Sequence, residues 1–249
     1  MHVGLLAKAQ IARDWPPRLR QCDPCPVPTP RIIAVGASAG GLETLLQLSR
    51  ELPPSLSAPV CIVLHIPPQR SSALPDLLNR ARRLHAEYVH PGQPIAAGRI
   101  YVAPPDSHFL IEDGHAVLGR GPRENGSRPA VDPLFRSVAQ GYGPGAIGVV
   151  LSGAWRDGTA GLAAIKALGG TAVVQDPEQA LHSCMPKSAL EHVAVDHVVA
   201  SAELARLLER LIAEHGVEDG HAAPEDRGEI KDGCRDPLSL PGRPWLSSR

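Results

Sequence analysis

Val35-Gly36-Ala37-Ser38-Ala39-Gly40-Gly41-Leu42-Glu43-Thr44-Leu45-Leu46-Gln47-Leu48 decides how this chain folds, because a β-branched apolar run ends in a glycine-rich turn and then becomes helical in period. The run Arg31-Ile32-Ile33-Ala34-Val35 reads as a buried strand, and Leu42, Leu45, Leu46 and Ser49 recur at helical spacing after it. Ser38 therefore falls on a strand-to-helix turn. Small residues there permit tight backbone angles, and the free N–H groups of the new helix face whatever binds in front of it. An oxyanion and a phosphate suit that place equally well.

Outward from this turn, strand and helix patterns alternate. Strands are predicted over 31–36, 59–65, 86–89, 146–151, 171–175 and 196–199, and helices over 41–52, 71–84, 131–141, 158–168 and 201–214. The alternation predicts an α/β fold, a doubly wound and mostly parallel sheet with helices on both faces. The exception is 99–119, where Ile100–Ala103, His108–Ile111 and Ala116–Leu118 are separated by Pro104-Pro105-Asp106 and Asp113-Gly114. These hairpin signals predict a small antiparallel excursion at one edge. Leu204, Leu207, Leu208 and Leu211 form a stripe on the last helix that is expected to pack on the sheet rather than in a dimer seam.

Composition bounds the function. The 249 residues are 43% apolar with a formal charge of −1, which fits one sizeable core flanked by loose ends. Residues 1–30 carry Pro16, Pro17, Pro24, Pro26, Pro28 and Pro30, and 216–249 mix Gly, Pro and charge without periodicity. Both are expected to be disordered, leaving a folded domain over 31–215. A near-zero charge, no dense Lys/Arg block and eight aromatic residues argue against nucleic acid. The apolar runs are strand-sized, so membrane insertion is not expected and a cytoplasmic location is. Cys22, Cys25, Cys61, Cys184 and Cys234 are an odd, irregular set that suggests no disulfide framework. Cys22-x-x-Cys25 lacks the second pair a zinc site needs, so neither metal nor cofactor is expected.

In an open parallel sheet ligands collect at the carboxyl ends of the strands. The first strand delivers Ser38, the second delivers His65, and the strand at 146–151 runs through Ser152-Gly153 towards Asp157. Serine, histidine and aspartate are the nucleophile, base and orienter of acyl transfer, since the hydroxyl needs a base and the imidazole needs a carboxylate to fix its tautomer. Each also has a plainer reading: Ser38 as a small turn residue, His65 as an ordinary strand end, Asp157 as a helix cap. Gly36-x-Ser38-x-Gly40 matches the nucleophile elbow of α/β-hydrolases, but that fold orders its triad serine, acid, histidine and places several strands before the serine. A dinucleotide turn would want an acid after the second strand, where His65 stands, and a short-chain dehydrogenase would want Tyr-x-x-x-Lys, which is missing at Tyr88, Tyr101 and Tyr142.

At these residues the chain resembles the chemotaxis receptor protein-glutamate methylesterases of the CheB type. The resemblance runs through VGASAGG, VLHIPP, PGQPIAAGRIYVAPPDSHF, SRPAVDPLFRSVA, IGVVLSGAWRDGTAGL and CMPKSAL, in the family's order. It implies a serine hydrolase acting on methyl esters of glutamate side chains of methylated chemoreceptor cytoplasmic helices, in many members with glutamine deamidation as well. By position it implies Ser38 as nucleophile, His65 as base and Asp157 as its carboxylate, with no metal or cofactor. It also implies oxyanion donors around Ala39 and Ala154. The chain departs from the family there, with Ala39 where Thr is common and Ala154-Trp155-Arg156 where Met-Gly-Asn is common. Arg128 resembles a cleft residue and is a candidate contact for acidic receptor groups, against the alternative of a solvated loop arginine. Many members carry a receiver domain of about 120 residues before this strand, far more than the residues preceding it here. The expectation is an uncovered esterase or one controlled by a regulatory partner in trans. Two readings of other classes stand beside it: a binding module of the same fold with Trp155 obstructing chemistry, and a nucleotide-binding oxidoreductase.

Overall fold

A computed structural model describes residues 30–66 and 73–218. The elements run β1 (Ile32–Ala37), α1 (Gly41–Glu51), β2 (Val60–Leu64), α2 (Leu74–Asn79), β3 (His85–Tyr88), β4 (Arg99–Val102), β5 (His108–Glu112), β6 (His115–Gly119) and α3 (Val131–Tyr142). They continue with β7 (Ala146–Val150), α4 (Thr159–Ala167), β8 (Thr171–Gln175), α5 (Cys184–His192), β9 (His197–Val199) and α6 (Leu204–Glu218). The predicted leader, the distal tail and the Cys22-x-x-Cys25 pair lie outside the described residues.

Seven strands form one sheet in the order β3-β4-β2-β1-β7-β8-β9, and every pairing is parallel. The strands alternate sides with a period of two, which is what divides the apolar residues into two cores. In β1, Ile33, Val35 and Ala37 join the core with Leu45, Leu48 and Leu52 of α1, Leu74 and Leu78 of α2, and Leu204, Leu207, Leu208 and Leu211 of α6. Ile32 and Ala34 face the opposite core with Val131, Leu134, Phe135 and Val138 of α3, Leu162 and Ile165 of α4, and Met185 of α5. The α6 stripe is thus buried on the sheet, as its spacing predicts. Burying side chains of this kind contributes roughly 1.5–3 kcal/mol each before the entropy of ordering is charged against it.

The antiparallel hairpin is present as β5 and β6, paired from His108↔Gly119 to Glu112↔His115 in a two-stranded sheet of its own. It packs on α3, where the Ser137 hydroxyl accepts the N–H of Ile111 at 3.0 Å. The first run of the 99–119 segment behaves differently. Ile100 and Val102 enter the main sheet between β2 and β3, pairing with Val60 and Ile62 on one side and Ala86 and Tyr88 on the other. Fully apolar, β-branched residues suit a strand covered on both faces.

Candidate active site

The strand order changes direction at β1: the chain moves outward to β2 on one side and later returns to place β7 on the other. Crevices at such a switch point are where ligands bind in open α/β sheets. Three polar side chains converge there. Ser38 follows β1, His65 follows β2, and Asp157 lies in the loop between β7 and α4. The ends of these strands are locked together by backbone bonds, with Ser38 N–H donating to Ser152 O and His65 N–H to Ala37 O, both at 3.0 Å.

The turn that carries Ser38 needs its glycines. Gly40 has φ of 77°, and a Cβ at Gly153 would strike Met185 Sδ and stand 2.8 Å from the Ser38 Cβ. The Ser38 turn, the β7 loop and the start of α5 therefore close on one another at Gly153, whose bare backbone packs against the Ser38 and Met185 side chains. Ser152, fully buried, stitches them: its hydroxyl donates to Ala39 O at 2.8 Å and accepts the His182 N–H at 2.9 Å. Its own N–H donates to Gln175 Oε1 at 2.7 Å, and Gln175 Nε2 donates to Ser201 Oγ at 2.9 Å. A satisfied buried network of this kind holds a loop in one arrangement.

His65 bridges the other two residues. Its Nε2 is 2.7 Å from Asp157 Oδ2 and its Nδ1 is 3.1 Å from Ser38 Oγ. The carboxylate accepts, so Nε2 carries the hydrogen, and Nδ1 is left as the acceptor for the serine hydroxyl. Asp157 is completely buried. Its Oδ2 also accepts the Val131 N–H at 2.7 Å, while Oδ1 accepts from Asn125 Nδ2 at 2.8 Å, Asp132 N–H at 3.1 Å and Gly158 N–H at 2.9 Å. Val131 and Asp132 open α3, so the carboxylate sits on the positive end of that helix. Burial by itself pushes the Asp157 pKa up, but the hydrogen bonds from His65, Val131 and Asn125 outweigh it and hold the carboxyl below its ordinary value. The plainer reading of Asp157 as the cap of α4 gives way here, because the cap residue of that helix is Gly158 and carries no side-chain bond.

A cleft of 290 Å³ opens over this group, lined by Ser38, His65, Ile66, Arg123, Arg128, Ala154 and Trp155 among others. Ser38 N–H is already bonded to Ser152 O, while Ala39 and Ala154 donate no backbone hydrogen bond among the described residues. Trp155 is 81% exposed at φ of 70°. It stands on the rim and leaves Ser38 and His65 lining the cleft. Arg128 lines the same cleft, but its guanidinium is taken up by its own loops: Nε and Nη2 donate to Asp106 Oδ1 at 3.0 and 2.7 Å, and Nη1 to Gly121 O at 2.7 Å. Arg128, in turn, lowers the pKa of Asp106 by that bond. Arg123, exposed beside it, is a cleft cation that the sequence reading passes over. Among the described residues no group of three or more His, Cys, Asp or Glu side chains could hold a metal ion, and no helix is long and apolar enough to cross a membrane.

Sequence reading also misses Asn125 and the role of α5. Asn125 sits in an aperiodic loop, although Asn125-Gly126 is a recognisable tight-turn pair: φ is 49° and 76°, and Glu124 and Ser127 exchange both backbone bonds across it. The CMPKSAL block is read as part of the resemblance without being assigned a helix, yet it forms α5 and brings Met185 against Gly153 of the β7 loop, beside Ser38.

Comparisons with known proteins show the family and the fold. The family model described as CheB methylesterase matches residues 33–208. A protein-glutamate methylesterase/protein-glutamine glutaminase 2 of Anaeromyxobacter dehalogenans is 35% identical over 211 residues, covering 84% of this chain and 62% of that protein. A putative protein-glutamate methylesterase/protein-glutamine glutaminase of Leptospira interrogans is 38% identical over 180 residues, covering 72% of this chain and 93% of that one. The crystal structure of the Thermotoga maritima CheB methylesterase catalytic domain superposes with a TM-score of 0.70 at 31% identity, covering 73% of this chain and 98% of that chain. The chain spans about three fifths of the length of the Anaeromyxobacter relative and of one from Myxococcus xanthus, at 62% and 60%.

Proposed function

Because this chain belongs to the CheB methylesterase family, we propose that it hydrolyses glutamate methyl esters on the cytoplasmic domains of methylated chemoreceptors, with Ser38, His65 and Asp157 as its catalytic groups. The observation that carries the reading is the imidazole of His65, held on both nitrogens between the Ser38 hydroxyl and the buried Asp157 carboxylate. Ser38 Oγ attacks the ester carbonyl as Nδ1 of His65 takes its proton, and Asp157 stabilises the imidazolium that forms. The N–H groups of Ala39 and Ala154 receive the oxyanion, the Ser38 N–H being bonded to Ser152 O already. His65 returns the proton to the leaving methoxide, methanol departs, and an acyl-enzyme remains on Ser38. A water then gives its proton to the same Nδ1 as it attacks the acyl carbonyl, the bond to Ser38 Oγ breaks as His65 returns that proton to Oγ, and glutamate leaves. A glutamine side chain follows the same course with ammonia as the leaving group, in keeping with the glutaminase in the relatives' names.

The nucleotide-binding alternative loses its ground, since the turn after β1 presents a serine paired with a histidine and the chain falls in a hydrolase family. Intact-mass analysis after treatment with a fluorophosphonate tests the proposal independently of any receptor. One adduct on Ser38, formed slowly or not at all by His65→Ala, is the expected result. An unmodified Ser38 in folded protein contradicts it.

A further inference from the structure

The hydrolase chemistry stops at Asp157, but the hydrogen-bond network continues past it. A second buried carboxylate, Asp132, lies on the far side of a single amide. Asn125 Nδ2 donates to Asp157 Oδ1 at 2.8 Å and to Asp132 Oδ2 at 2.8 Å. Both neighbours are carboxylate oxygens, so the NH2 end of the amide must face them, and its two hydrogens supply one bond to each. Asp132 is otherwise anchored by the Gly161 N–H on its Oδ1 at 2.7 Å, and Asp157 by the donors described above.

Building on the hydrolase reading of this site, we propose that Asn125 is a positioning residue: its amide bridges the Asp157 and Asp132 carboxylates and thereby keeps Asp157 ionised and aimed at His65. Two like charges this close disfavour one another's ionisation, and the shared donor is what offsets that repulsion. The two carboxyls respond in opposite senses. Burial, aided by the Asp157 charge, pushes the Asp132 pKa up, while the donors around Asp157 hold its own pKa down. The Asn125 bond favours the charged form of both, and at Asp157 it adds to the bonds from His65 and Val131 on the member that touches the base.

The loop is built to hold the amide there. Asn125 occupies the first left-handed position of its turn, and the next residue, Gly126, occupies the second. Arg136 of α3 grips the adjacent Glu124 through both carboxylate oxygens at 2.9 Å. Asn125 thus reaches the carboxylates from an exposed turn, a placement that its exposure alone would not lead one to test.

The test compares wild type, Asn125→Gly and Asn125→Asp in the full-length chain. Glycine and aspartate both tolerate the left-handed turn, so circular dichroism and thermal melts are expected to show folded protein in each case. Bridging predicts kcat in the order wild type, Asn125→Gly, Asn125→Asp, because aspartate adds a third carboxylate where glycine only removes the donor. For Asn125→Gly the expected loss is about 10- to 100-fold in kcat, the worth of one hydrogen bond to a charged group, with KM changed by less than about twofold. The low-field proton resonance of the His65–Asp157 bond is expected to move downfield as Asp157 becomes more basic. A turn-forming role alone predicts both variants within about twofold of wild type, or equal losses with the resonance unmoved, and either result overturns the proposal. If wild type turns over no ester, the hydrolase reading fails by itself and the resonance decides the bridge: a downfield move in Asn125→Gly supports it, an unchanged line refutes it.

Discussion

Replacing Asp157 with asparagine tests the site through hydrogen-bond accounting. The carboxylate accepts three donors on Oδ1, from Asn125, Asp132 N–H and Gly158 N–H, and two on Oδ2, from His65 and Val131 N–H. An asparagine must turn an NH2 group towards one of those sets. Each buried donor left without an acceptor costs about 1–3 kcal/mol, so placing the NH2 at the Oδ2 position, which orphans two donors, is the cheaper choice. That choice sets a donor against His65 Nε2. The imidazole then moves its hydrogen to Nδ1 to become an acceptor at Nε2, and Nδ1 can no longer take the serine proton. Asp157→Asn is therefore expected to lower kcat by about 10³- to 10⁴-fold, a magnitude taken from the equivalent change in a serine protease. It should also lower the unfolding free energy by about 1–3 kcal/mol, the worth of the Val131 N–H left without an acceptor once the imidazole has changed tautomer. Methanol release from methylated receptor measures the first and urea denaturation the second. A variant that keeps a tenth of the wild-type kcat, or an unchanged urea midpoint, would refute the reasoning.

Other perturbations follow from the same geometry. Trp155→Gly relieves a left-handed backbone at the cost of chain entropy and loses little packing, since the ring is 81% exposed. A gain of about 0.5–1 kcal/mol in urea unfolding is expected, and a loss of stability would show the indole packs more than its exposure implies. Gly153→Ala drives a methyl group into Met185 Sδ and towards Ser38 Cβ. It should cut kcat about 100-fold or more by displacing the nucleophile from its oxyanion donors, while a variant within threefold of wild type in steady-state assays would show the turn can give. Acid stability should carry two opposed contributions. The Asp157 pKa is lowered, so its stabilisation is complete above its unfolded value of about 3.9 and is lost as pH falls below that through the folded value. The Asp132 pKa is raised, so the folded state holds its proton longer and stability falls as pH rises from about 3.9 to the folded value. Asp132→Asn removes the second contribution. Its urea midpoint should decline less than that of wild type across that window, and parallel curves would count against the assignment.

The parts of the fold that were legible in the sequence were those set by local pattern. The β1, β2, β7 and β8 runs are continuous and apolar because both faces of the sheet are covered, and the α6 leucines keep a helical period because one face packs on β1 and its neighbours. The order of Ser38, His65 and Asp157 at strand ends was legible for the same reason. What remained hidden depends on which elements meet. Apolar character in Ile100–Val102 does not say whether the strand pairs with its hairpin neighbour or, as it does, with β2 and β3. Pro186 near the start of a nine-residue helix obscures the period of α5. Asn125 reads in the sequence only as the start of an Asn-Gly turn: its side-chain partners are 7 and 32 residues away and become neighbours only when the start of α3 docks beside the β7 loop. Arg128 illustrates the converse, a cleft residue by position whose donors are largely committed to Asp106 and a neighbouring backbone carbonyl.

The most direct test of the account is methanol release from methylated chemoreceptor cytoplasmic domains by wild-type protein and by Ser38→Ala. The account predicts steady release by wild type that falls at least about 10³-fold when the nucleophile is removed. Release that survives the substitution would contradict the assignment of Ser38, and silence of folded wild-type protein on correctly methylated receptor would contradict the assigned reaction.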